Sequence, residues 1–403
     1  MTTHTDNPLD LTPAQAVLRQ PAVGDILALL AGAGEETRVV GGALRNALLR
    51  IEAKDIDFVT TRVPQDVMRI GITGGWHVVP TGIDHGTVSL VRDGQVFEIT
   101  TLREDIDTDG RRATVRFGRD FQRDAARRDF TINAFSMGGD GILHDYFGGL
   151  ADLAARRVRF IGSPTQRLRE DYLRGLRFLR FSAWYGAGRL DSEGLKAVIA
   201  LRSGFARLSR ERIRQEMLVL LMAPDVLPVL EAAEAVGLIS EILGRPVDTA
   251  RLRARLASAG EVDALWRLAA LAVRDNADVD HLREALRLAN AEDRLLRRFV
   301  EGRAAFEASG RRDLFLLGDR FCDVAGEILR RIASDTGDVS VLDGLERVEN
   351  PPIFHLTGKD ALALGLAAGP AVGEALARAK TVWARAGCPA DLDAQRAILK
   401  SVV

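Results

Sequence analysis

Hydrophobic and polar positions follow two different patterns in this 403-residue chain, and the pattern changes near residue 155. Before that point, short apolar runs containing β-branched residues are separated by glycines, which predicts strands joined by turns. After it, apolar residues recur at helical spacing in segments rich in Ala, Leu and Arg, with breaks at Pro and Gly. The chain is therefore predicted to have a mixed α/β head followed by an all-helical remainder.

Five or six strands are expected in the head. They are carried by the segments TRVVGG, DIDFVTT, WHVVP, GTVSLVRDG, QVFEITTL and ATVRF. Helices are predicted at residues 43–50, at residues 64–70 and around residues 124–136.

Composition and charge restrict the location and the partners. No apolar run approaches the roughly 20 residues that span a membrane, and the polar start MTTHTDNPLD lacks the regions of a signal peptide. We therefore expect a cytoplasmic protein without a membrane partner. Cys322 and Cys388 are the only cysteines and lie far apart, which argues against a disulfide framework or a zinc site. Because the formal net charge is -1, a nucleic-acid partner would need a local basic patch. Between Arg119 and Arg180 there are 12 Arg against 8 Asp plus Glu, and the excess lies from Arg156 onward.

Two aspartates, Asp55 and Asp57, are separated by one residue in the predicted strand DIDFVTT. Because strand side chains alternate, both should point to one face while Ile56 and Phe58 point to the core. In QVFEITTL, Glu98 lies between two apolar residues and should also face away from the core. Carboxylates on neighbouring strands can hold two divalent ions that clamp the attacking and leaving oxygens of a phosphoryl transfer. Acidic residues on the solvent face of edge strands would show the same pattern, so both interpretations stay open here.

The adjacent glycines Gly41 and Gly42 are predicted to form a tight turn between a strand and a helix. The first turn of a helix has free backbone N–H groups, so Gly42 would let the backbone approach a triphosphate and Arg45 could contact it. A strand–turn–helix unit without a ligand also accounts for paired glycines.

Eight segments in order resemble a known family. They are GGALRNALL, KDIDFVT, HGTVSL, EITTLR, RRDFTINAF, DYFGGLADL, REDYLRGLRFLRFSAWYG and SRERIRQEML, from residue 41 to about residue 218. Together they resemble the class II CCA tRNA nucleotidyltransferases and bacterial poly(A) polymerases, and HLTGKDALALGLAAGPAVGEAL is similar to the tail of that family. The resemblance implies an α+β head of the DNA polymerase β-type nucleotidyltransferase fold, with a mixed or antiparallel sheet, followed by an all-α neck, body and tail. We predict the head at residues 1–155, the neck at 156–222, the body at 223–345 and the tail at 346–403.

The resemblance also implies roles for the acidic residues. Asp55 and Asp57 would bind Mg²⁺, a hard ion that takes oxygen ligands and substrate phosphates. Glu98 would be the third carboxylate, which helps to deprotonate the primer 3′-hydroxyl or steadies a second metal.

In RRDFTINAF, the resemblance makes Arg128 the contact to the triphosphate and Asp129 the contact to the ribose hydroxyls. Asp129 and Asn133 are at helical spacing and should share one face. A surface ion pair between Asp129 and a neighbouring arginine is the alternative.

Base selection is assigned to the segment EDYLRGLR. If residues 168–183 form one helix, Asp171, Arg174 and Arg177 follow one side in steps of three, so Asp171 and Arg174 are neighbours. A carboxylate acceptor beside a guanidinium donor can pair with cytosine and adenine, whereas uracil and guanine have a carbonyl oxygen where the amino group should be. Arg177 would support this protein template or contact phosphate. Arg180 is included among the nucleotide-binding candidates but should face another domain or the tRNA, and an exposed salt bridge is the simpler alternative for the pair Asp171 and Arg174.

The implied function is addition or repair of the 3′-terminal CCA of tRNA from CTP and ATP. The alternatives are a poly(A) polymerase, an enzyme that adds only the terminal A, and a nonenzymatic RNA-binding protein. No long basic extension follows Val403, which favours tRNA as the partner, and no obligate protein partner is evident. The charged loop at residues 103–117 is expected to be mobile and to help the switch from C to A. The family usually has aspartate where this chain has Asn46.

Overall fold

The computed structural model describes residues 9–53, 55–83, 86–108, 113–257, 263–309, 324–345 and 352–403. The chain divides into two compact units, Met1–Leu238 and Ile239–Val403. The proposed division into head, neck, body and tail stays a prediction.

The first unit contains the sheet. Its strands are β1 (Thr37–Val40), β2 (Asp57–Thr60), β3 (His77–Gly82), β4 (Thr87–Arg92), β5 (Gln95–Thr101), β8 (Ser136–Gly138) and β9 (Leu143–His144), and β6 (Arg103–Thr108) and β7 (Ala113–Phe117) form a separate hairpin. The seven strands are arranged in the order β3-β4-β5-β2-β1-β8-β9. β2 and β5 are parallel, and the other neighbours in this sheet are antiparallel. The prediction of a mixed sheet is therefore confirmed.

Helices are interspersed with the strands along the chain as far as β9, and after β9 only helices follow in the described residues. They are α1 (Thr12–Leu18), α2 (Pro21–Leu29), α3 (Gly42–Leu48), α4 (Pro64–Thr73), α5 (Phe121–Ala126), α6 (Gly149–Ala154), α7 (Pro164–Glu170), α8 (Leu173–Tyr185), α9 (Ser192–Ala200), α10 (Arg210–Leu221) and α11 (Val226–Glu234). The predicted helices at residues 43–50 and 64–70 are confirmed as α3 and α4.

The predicted helix around residues 124–136 is wrong. The chain forms α5, then a 3₁₀ turn at Thr131–Asn133, and then β8. Tertiary contacts override the helical spacing, because β8 pairs with β1 and the backbone N–H of Thr131 donates to the carbonyl oxygen of Arg159. The predicted single helix at residues 168–183 is also wrong, because Asp171 has an extended backbone (φ -154°, ψ 109°) that separates α7 from α8.

Residues 103–117 were expected to form a charged loop that includes the strand ATVRF, and they form a hairpin where the structure describes them. The strand prediction for ATVRF is confirmed. Arg103–Thr108 and Ala113–Phe117 are the two antiparallel strands of this hairpin. The four residues between these strands, 109–112, lie outside the described part of the chain. The proposed role of this segment in the switch from C to A stays a prediction.

A cluster of four phenylalanines fixes the segment after α5 to α8. The ring centroids of Phe130 and Phe160 are 4.9 Å apart, and those of Phe130 and Phe181 are 5.2 Å apart. Phe178 stacks on Phe160 at 5.4 Å. Such aromatic pairs add to the burial of apolar area and favour defined ring geometries. The cluster therefore holds the RRDFTINAF segment in a fixed position against α8.

The second unit is helical in its described residues. Its helices are α12 (Leu238–Leu243, beginning at the unit boundary), α13 (Thr249–Ala257), α14 (Ala264–Ala272), α15 (Asn276–Leu286), α16 (Asn290–Ser309), α17 (Ala325–Thr336), α18 (Gly358–Ala363), α19 (Pro370–Arg385) and α20 (Leu392–Val402). A buried ion pair joins α13 to α17, with 2.6 Å between Arg255 Nε and Glu327 Oε1. Within the residues that the structure describes, none of the helices has both the length and the apolar character needed to cross a membrane.

Candidate active site

A cavity of about 870 Å³ in the first unit collects most of the site residues predicted from the sequence. The predicted residues in its wall are Gly42, Arg45, Asp55, Asp57, Arg128, Asp129, Asp171, Arg174, Arg177 and Arg180. Glu98 is the one candidate outside the wall. The wall also contains residues that were not among the predicted site residues, namely Gly41, Asn46, Glu52, Arg127, Asn133, Leu173, Phe181 and Arg212.

The aspartates of the cavity wall, Asp55 and Asp57, lie at the start of β2. Ile56 and Phe58 are buried, whereas Asp55 and Asp57 are exposed, so the predicted alternation is confirmed. Asp57 is the first residue of β2, and Asp55 lies before the strand rather than in it. This corrects the expectation that both aspartates lie on a strand, and the ladder with β1 ends at the pair Val40 and Asp57.

Glu98 belongs to the same acidic group although it does not line the cavity. Phe58 pairs with Ile99 in the parallel β2–β5 ladder, which places Asp57 and Glu98 at the adjacent position of their strands. Although Asp57 is exposed, the surrounding protein removes part of its hydration, which raises the pKa of its carboxyl. The negative charges of Glu98 and Asp55 raise this pKa further, while Arg128 opposes them. Mutual repulsion of this kind is relieved when a cation binds between the carboxylates.

The turn before α3 is shaped by Gly41 and packed against Arg128. Gly41 has φ +66°, and a Cβ atom built there would lie 2.8 Å from Arg128 Nη1. Only glycine fits this position without strain or displacement of the arginine. Arg128 is further held by the carbonyl oxygen of Asn133 at 3.4 Å and by the buried Asp124 carboxylate, whose Oδ2 is 3.6 Å from Nη2. The glycine turn and the arginine are thus one packed unit.

Arg45 is buried among polar and aromatic partners. Its Nη1 donates to the side-chain oxygen of Asn133, and Nε and Nη2 donate to Asn46 Oδ1 at 3.1 and 2.8 Å. Nη2 also donates to the Tyr185 hydroxyl at 2.9 Å, and the guanidinium carbon lies 4.0 Å from the centroid of the Tyr185 ring. Burial lowers the pKa of Arg45. Arg45 therefore lines the cavity while linking α3 to the end of α8.

Asp129 and Asn133 are neighbours, as predicted, but through a 3₁₀ turn rather than a helix. Asn133 Nδ2 donates to Asp129 Oδ1 at 3.0 Å, and Arg177 Nε donates to Oδ2 at 2.7 Å. Burial alone would raise the pKa of Asp129, but the Arg177 charge and the hydrogen bonds lower it. Asp129 is therefore held as a charged carboxylate in the wall of the cavity.

The two residues of the predicted base template do not pair with each other through their side chains. Asp171 Oδ2 accepts from Arg212 Nη2 at 2.7 Å. Arg174 Nη1 donates to Glu170 Oε2 at 2.5 Å, and its Nη2 donates to the carbonyl oxygen of Arg127 at 3.3 Å. The expected adjacency along a continuous helix fails because the backbone is extended at Asp171. Both side chains nevertheless line the same cavity.

Arg180 was expected to face another domain or the tRNA, and it lines the cavity instead. Its Nε donates to Glu216 Oε2 at 2.6 Å, and Glu216 Oε1 also lies 3.6 Å from Arg177 Nη1. Glu216 and Arg212 both belong to α10 and had not been selected from the sequence. Their spacing of four residues within SRERIRQEML places them on one helical face and was the available signal.

No group of three or more His, Cys, Asp and Glu side chains suited to a metal ion occurs among the residues described. Asp55 and Asp57 alone would leave most positions of a six-coordinate ion to water and to substrate. That division is ordinary for Mg²⁺, which binds to one or two carboxylates together with substrate phosphates. The exposed aspartates and the arginines of the same cavity wall therefore suit a metal that arrives with a triphosphate.

Sequence comparisons place this architecture among known proteins. The poly A polymerase head domain model matches residues 37–159. The chain is 34% identical over 370 residues to the mitochondrial CCA tRNA nucleotidyltransferase 1 of Danio rerio, covering 86% of this chain and 83% of that protein. It is 33% identical over 377 residues to the mitochondrial CCA tRNA nucleotidyltransferase 1 of Homo sapiens, covering 89% of this chain and 85% of that protein.

Solved structures with a similar fold cover nearly the whole chain. The Bacillus stearothermophilus CCA-adding enzyme in complex with CTP superposes with a TM-score of 0.73 at 27% identity, covering 95% of this chain and 97% of that one. The Thermotoga maritima CCA-adding enzyme complexed with tRNA superposes with a TM-score of 0.76 at 20% identity, covering 98% and 99%. At 20% identity, the second likeness concerns the fold alone.

Proposed function

Because this chain belongs to the family of CCA tRNA nucleotidyltransferases, we propose that it adds or repairs the 3′-terminal CCA of tRNA from CTP and ATP without a nucleic-acid template. In this reaction the 3′-oxygen of the tRNA attacks the α-phosphorus of the nucleotide. The bond from that phosphorus to the bridging oxygen of the β-phosphate breaks, and diphosphate leaves.

The observation that carries the proposal is the composition of one cavity. Its wall contains the acidic pair Asp55 and Asp57, the residues Asp171 and Arg174, and further arginines. The acidic pair suits a divalent metal at the reacting phosphate, and Asp171 with Arg174 suits the nucleotide base. A nonenzymatic RNA-binding protein would need no such combination.

We propose that Asp55 and Asp57 hold Mg²⁺, since members of this family of nucleotidyltransferases generally use a divalent metal. A bound Mg²⁺ would neutralise developing charge on the phosphate oxygens and orient them for in-line displacement. Glu98, next to Asp57 in the sheet, is proposed to accept the proton of the primer 3′-hydroxyl or to steady a second metal.

The arginines and Asp129 are proposed to hold the rest of the nucleotide. Arg128 is positioned by Asp124, by the carbonyl oxygen of Asn133 and by the turn at Gly41, so it can donate to the triphosphate from a fixed place. Gly42 adjoins this turn and has no side chain to exclude a phosphate. Asp129 would accept from a ribose hydroxyl in exchange for one of its present donors, which are Arg177, Asn133 and the backbone N–H of Phe130.

Arg45 has a different part in this proposal. Its guanidinium already donates to Asn46, Asn133 and the Tyr185 hydroxyl. It adds positive charge to the wall and holds α3 against α8. We therefore propose that Arg45 acts on the triphosphate through its field and through this support.

Base selection is proposed to use the free lone pairs of Asp171 and the free N–H groups of Arg174. The amino groups of cytosine and adenine can donate to Asp171, while their ring nitrogen acceptors receive from Arg174. Uracil and guanine would place a carbonyl oxygen against the carboxylate, leaving a buried acceptor without a donor. Arg177 and Arg180 would keep the wall positive near the nucleotide.

The helical remainder is proposed to bind the body of the tRNA by shape and phosphate contacts, which place the 3′ end in the cavity. The domains at 1–155, 156–222, 223–345 and 346–403 are part of this proposal. The cytoplasmic location stays a prediction, because the Danio rerio and Homo sapiens relatives are mitochondrial enzymes.

The test is incorporation of labelled nucleotides into tRNA lacking CCA, tRNA ending in C, tRNA ending in CC and an unrelated RNA. CTP and ATP are supplied alone and together, and the wild type is compared with Asp55→Ala. Addition of two C and one A, stopping there and absent in the variant, is the expected result. Addition of A only to tRNA ending in CC, long A tails on any RNA, or no incorporation would each contradict the proposal.

A further inference from the structure

Helix α10 carries two charged residues, one turn apart, that complement the charges of the base-recognition region. Arg212 pairs with Asp171, and Glu216 pairs with Arg180 and Arg177. Glu216 is absent from the cavity wall, whereas Arg212 is part of it. The contact between Arg212 and Asp171 is therefore the one through which α10 acts directly on a proposed base-reading group.

Asp171 lies outside both helices, and two hydrogen bonds orient its side chain. The residue is extended, between the end of α7 and the start of α8. Each of its two carboxylate oxygens accepts one hydrogen bond, Oδ1 from the backbone N–H of Leu173 at 3.1 Å and Oδ2 from Arg212 Nη2 at 2.7 Å. Two donors on different oxygens define the plane of the carboxylate, and each oxygen keeps a lone pair for another donor.

The donor from Arg212 matters more than a surface ion pair usually does. The Asp171 side chain is only 29% exposed, and its position at a helix break leaves Leu173 as the other donor. With Arg212 removed, the carboxylate could rotate about the single remaining bond to the Leu173 N–H.

We propose that Arg212 is a specificity-determining positioning residue, which orients Asp171 so that its remaining lone pairs meet the exocyclic amino group of cytosine or adenine. This inference rests on the proposed function, in which Asp171 reads the base. Arg212 would thereby improve the reaction of CTP and ATP relative to UTP and GTP. It would do so through Asp171 rather than by contacting the nucleotide.

The first experiment measures kcat/KM for CTP and UTP on tRNA lacking CCA, with the wild type and Arg212→Gln. We expect the preference for CTP over UTP to fall about tenfold, the size of effect that one charged hydrogen bond supports. The loss should come mainly from slower CTP incorporation. A uniform rise of KM for CTP and UTP, with the preference intact, would mean that Arg212 contacts a part of the nucleotide common to both and would overturn the inference.

A double variant separates action through Asp171 from independent action. If Arg212 works through Asp171, the CTP preference of Asp171→Asn should be unchanged when Arg212→Gln is added. Independent, multiplicative losses would contradict the inference. Arg212→Lys keeps a cation and a donor and should retain more of the preference than Arg212→Gln. If Arg212→Gln does not fold, the lysine variant is compared in the same way with the wild type and with Asp171→Asn.

Arg210→Gln is the matched control, because Arg210 is an exposed arginine at the start of the same helix and is absent from the cavity wall. An equal loss of preference in this control would assign the effect to the general charge of α10 and refute the role of Arg212. A wild type that incorporates neither C nor A refutes the proposed function itself. A wild type that builds CCA, with the CTP preference unchanged in Arg212→Gln, refutes only this inference.

Discussion

Arg177 places two nitrogens, Nε and Nη2, each 2.7 Å from the same oxygen of Asp129, Oδ2. The pair joins the segment after α5 to α8, next to the phenylalanine cluster that packs the same two parts of the chain. It lowers the pKa of Asp129 and, despite partial burial, raises the pKa of Arg177. Because the native state favours the charged carboxylate, the contribution of this pair to stability depends on pH.

We expect Asp129→Asn to lower the free energy of unfolding by about 2 kcal/mol at pH 7, since it leaves Arg177 with only the more distant carboxylate of Glu216. The native pKa of Asp129 lies below the unfolded value of about 3.9. The stabilisation is therefore complete above that value and is lost as the pH falls through the lowered native pKa. Urea unfolding from pH 7 to pH 3 measures the difference between wild type and variant. A difference that grows with acidification would contradict the assignment.

Asp57→Asn should lower kcat for CTP incorporation by roughly a thousandfold, the effect of losing several kcal/mol of charge stabilisation at the reacting phosphate. The fold should persist, because the side chain is exposed and the replacement has the same size. Single-turnover incorporation and circular dichroism measure the two quantities. Asp66→Asn, an exposed change on α4, is the control and should leave kcat unchanged. A variant that retained wild-type kcat would remove Asp57 from the metal site.

Gly41→Ala and Gly42→Ala should differ in a way that follows from the backbone. Alanine at Gly41 is strained at φ +66° and collides with Arg128 Nη1, so we expect a loss of about 1–3 kcal/mol of stability together with weaker nucleotide binding. At Gly42 the nearest atom to a new Cβ is Arg45 Nη2, at an ordinary 3.5 Å. Gly42→Ala should therefore keep its stability and lose nucleotide affinity only.

Thermal unfolding and nucleotide titration distinguish these variants. Gly139→Ala is the control, because a Cβ there has no atom within 4 Å. Normal nucleotide affinity in Gly42→Ala would show that the turn does not approach the triphosphate.

Asp124 should be required for the position of two arginines. It is buried, and its carboxylate contacts Arg127 Nη2 at 2.7 Å and Arg128 Nη2 at 3.6 Å. We expect Asp124→Asn to destabilise the protein by about 2–3 kcal/mol and to raise KM for both CTP and ATP, since the arginines lose their countercharge. Steady-state kinetics at several nucleotide concentrations measures KM. Asp120→Asn keeps a capping side chain at the start of α5 and should have little effect. Unchanged KM values in Asp124→Asn would refute its role in positioning these arginines.

Binding of tRNA should weaken as salt is added, because phosphate contacts release counterions. Lys359 is an exposed cation in the segment GKDALALGLAAGPAVG, which is similar to the family tail. We expect Lys359→Gln to reduce the slope of log K against log salt by about 1. Filter binding between 50 and 200 mM salt, as an approximate range, tests this. A salt-independent affinity would contradict the proposed phosphate contacts.

The sequence predicted best what depends on local alternation and on glycine. The outward direction of Asp57 and Glu98 follows from the period of two in β2 and β5, and the turn before α3 follows from Gly41 and Gly42. The break at Asp171 could not be predicted, because its flanking residues continue a helical spacing and the side chain of Asp171 itself accepts the N–H of Leu173.

Pairing over long distances in the sequence accounts for the other differences. Ser136–Gly138 becomes a strand because β1 offers it a free edge, and the site partners of Asp171 and Arg180 come from α10. No local pattern in RRDFTINAF or EDYLRGLR indicates which distant residue will form an ion pair with each charged side chain.

The parallel pairing of β2 with β5 has a consequence for the order of folding. β3, β4 and β5 are joined by antiparallel contacts between strands that follow each other in the chain, and such local contacts close the shortest loops. The pairing of Phe58 with Ile99 closes a longer loop, which contains β3, β4 and the start of β5. We therefore expect the meander of β3, β4 and β5 to form first and the acidic group of Asp57 and Glu98 to assemble late. A partly folded chain would then lack this acidic group.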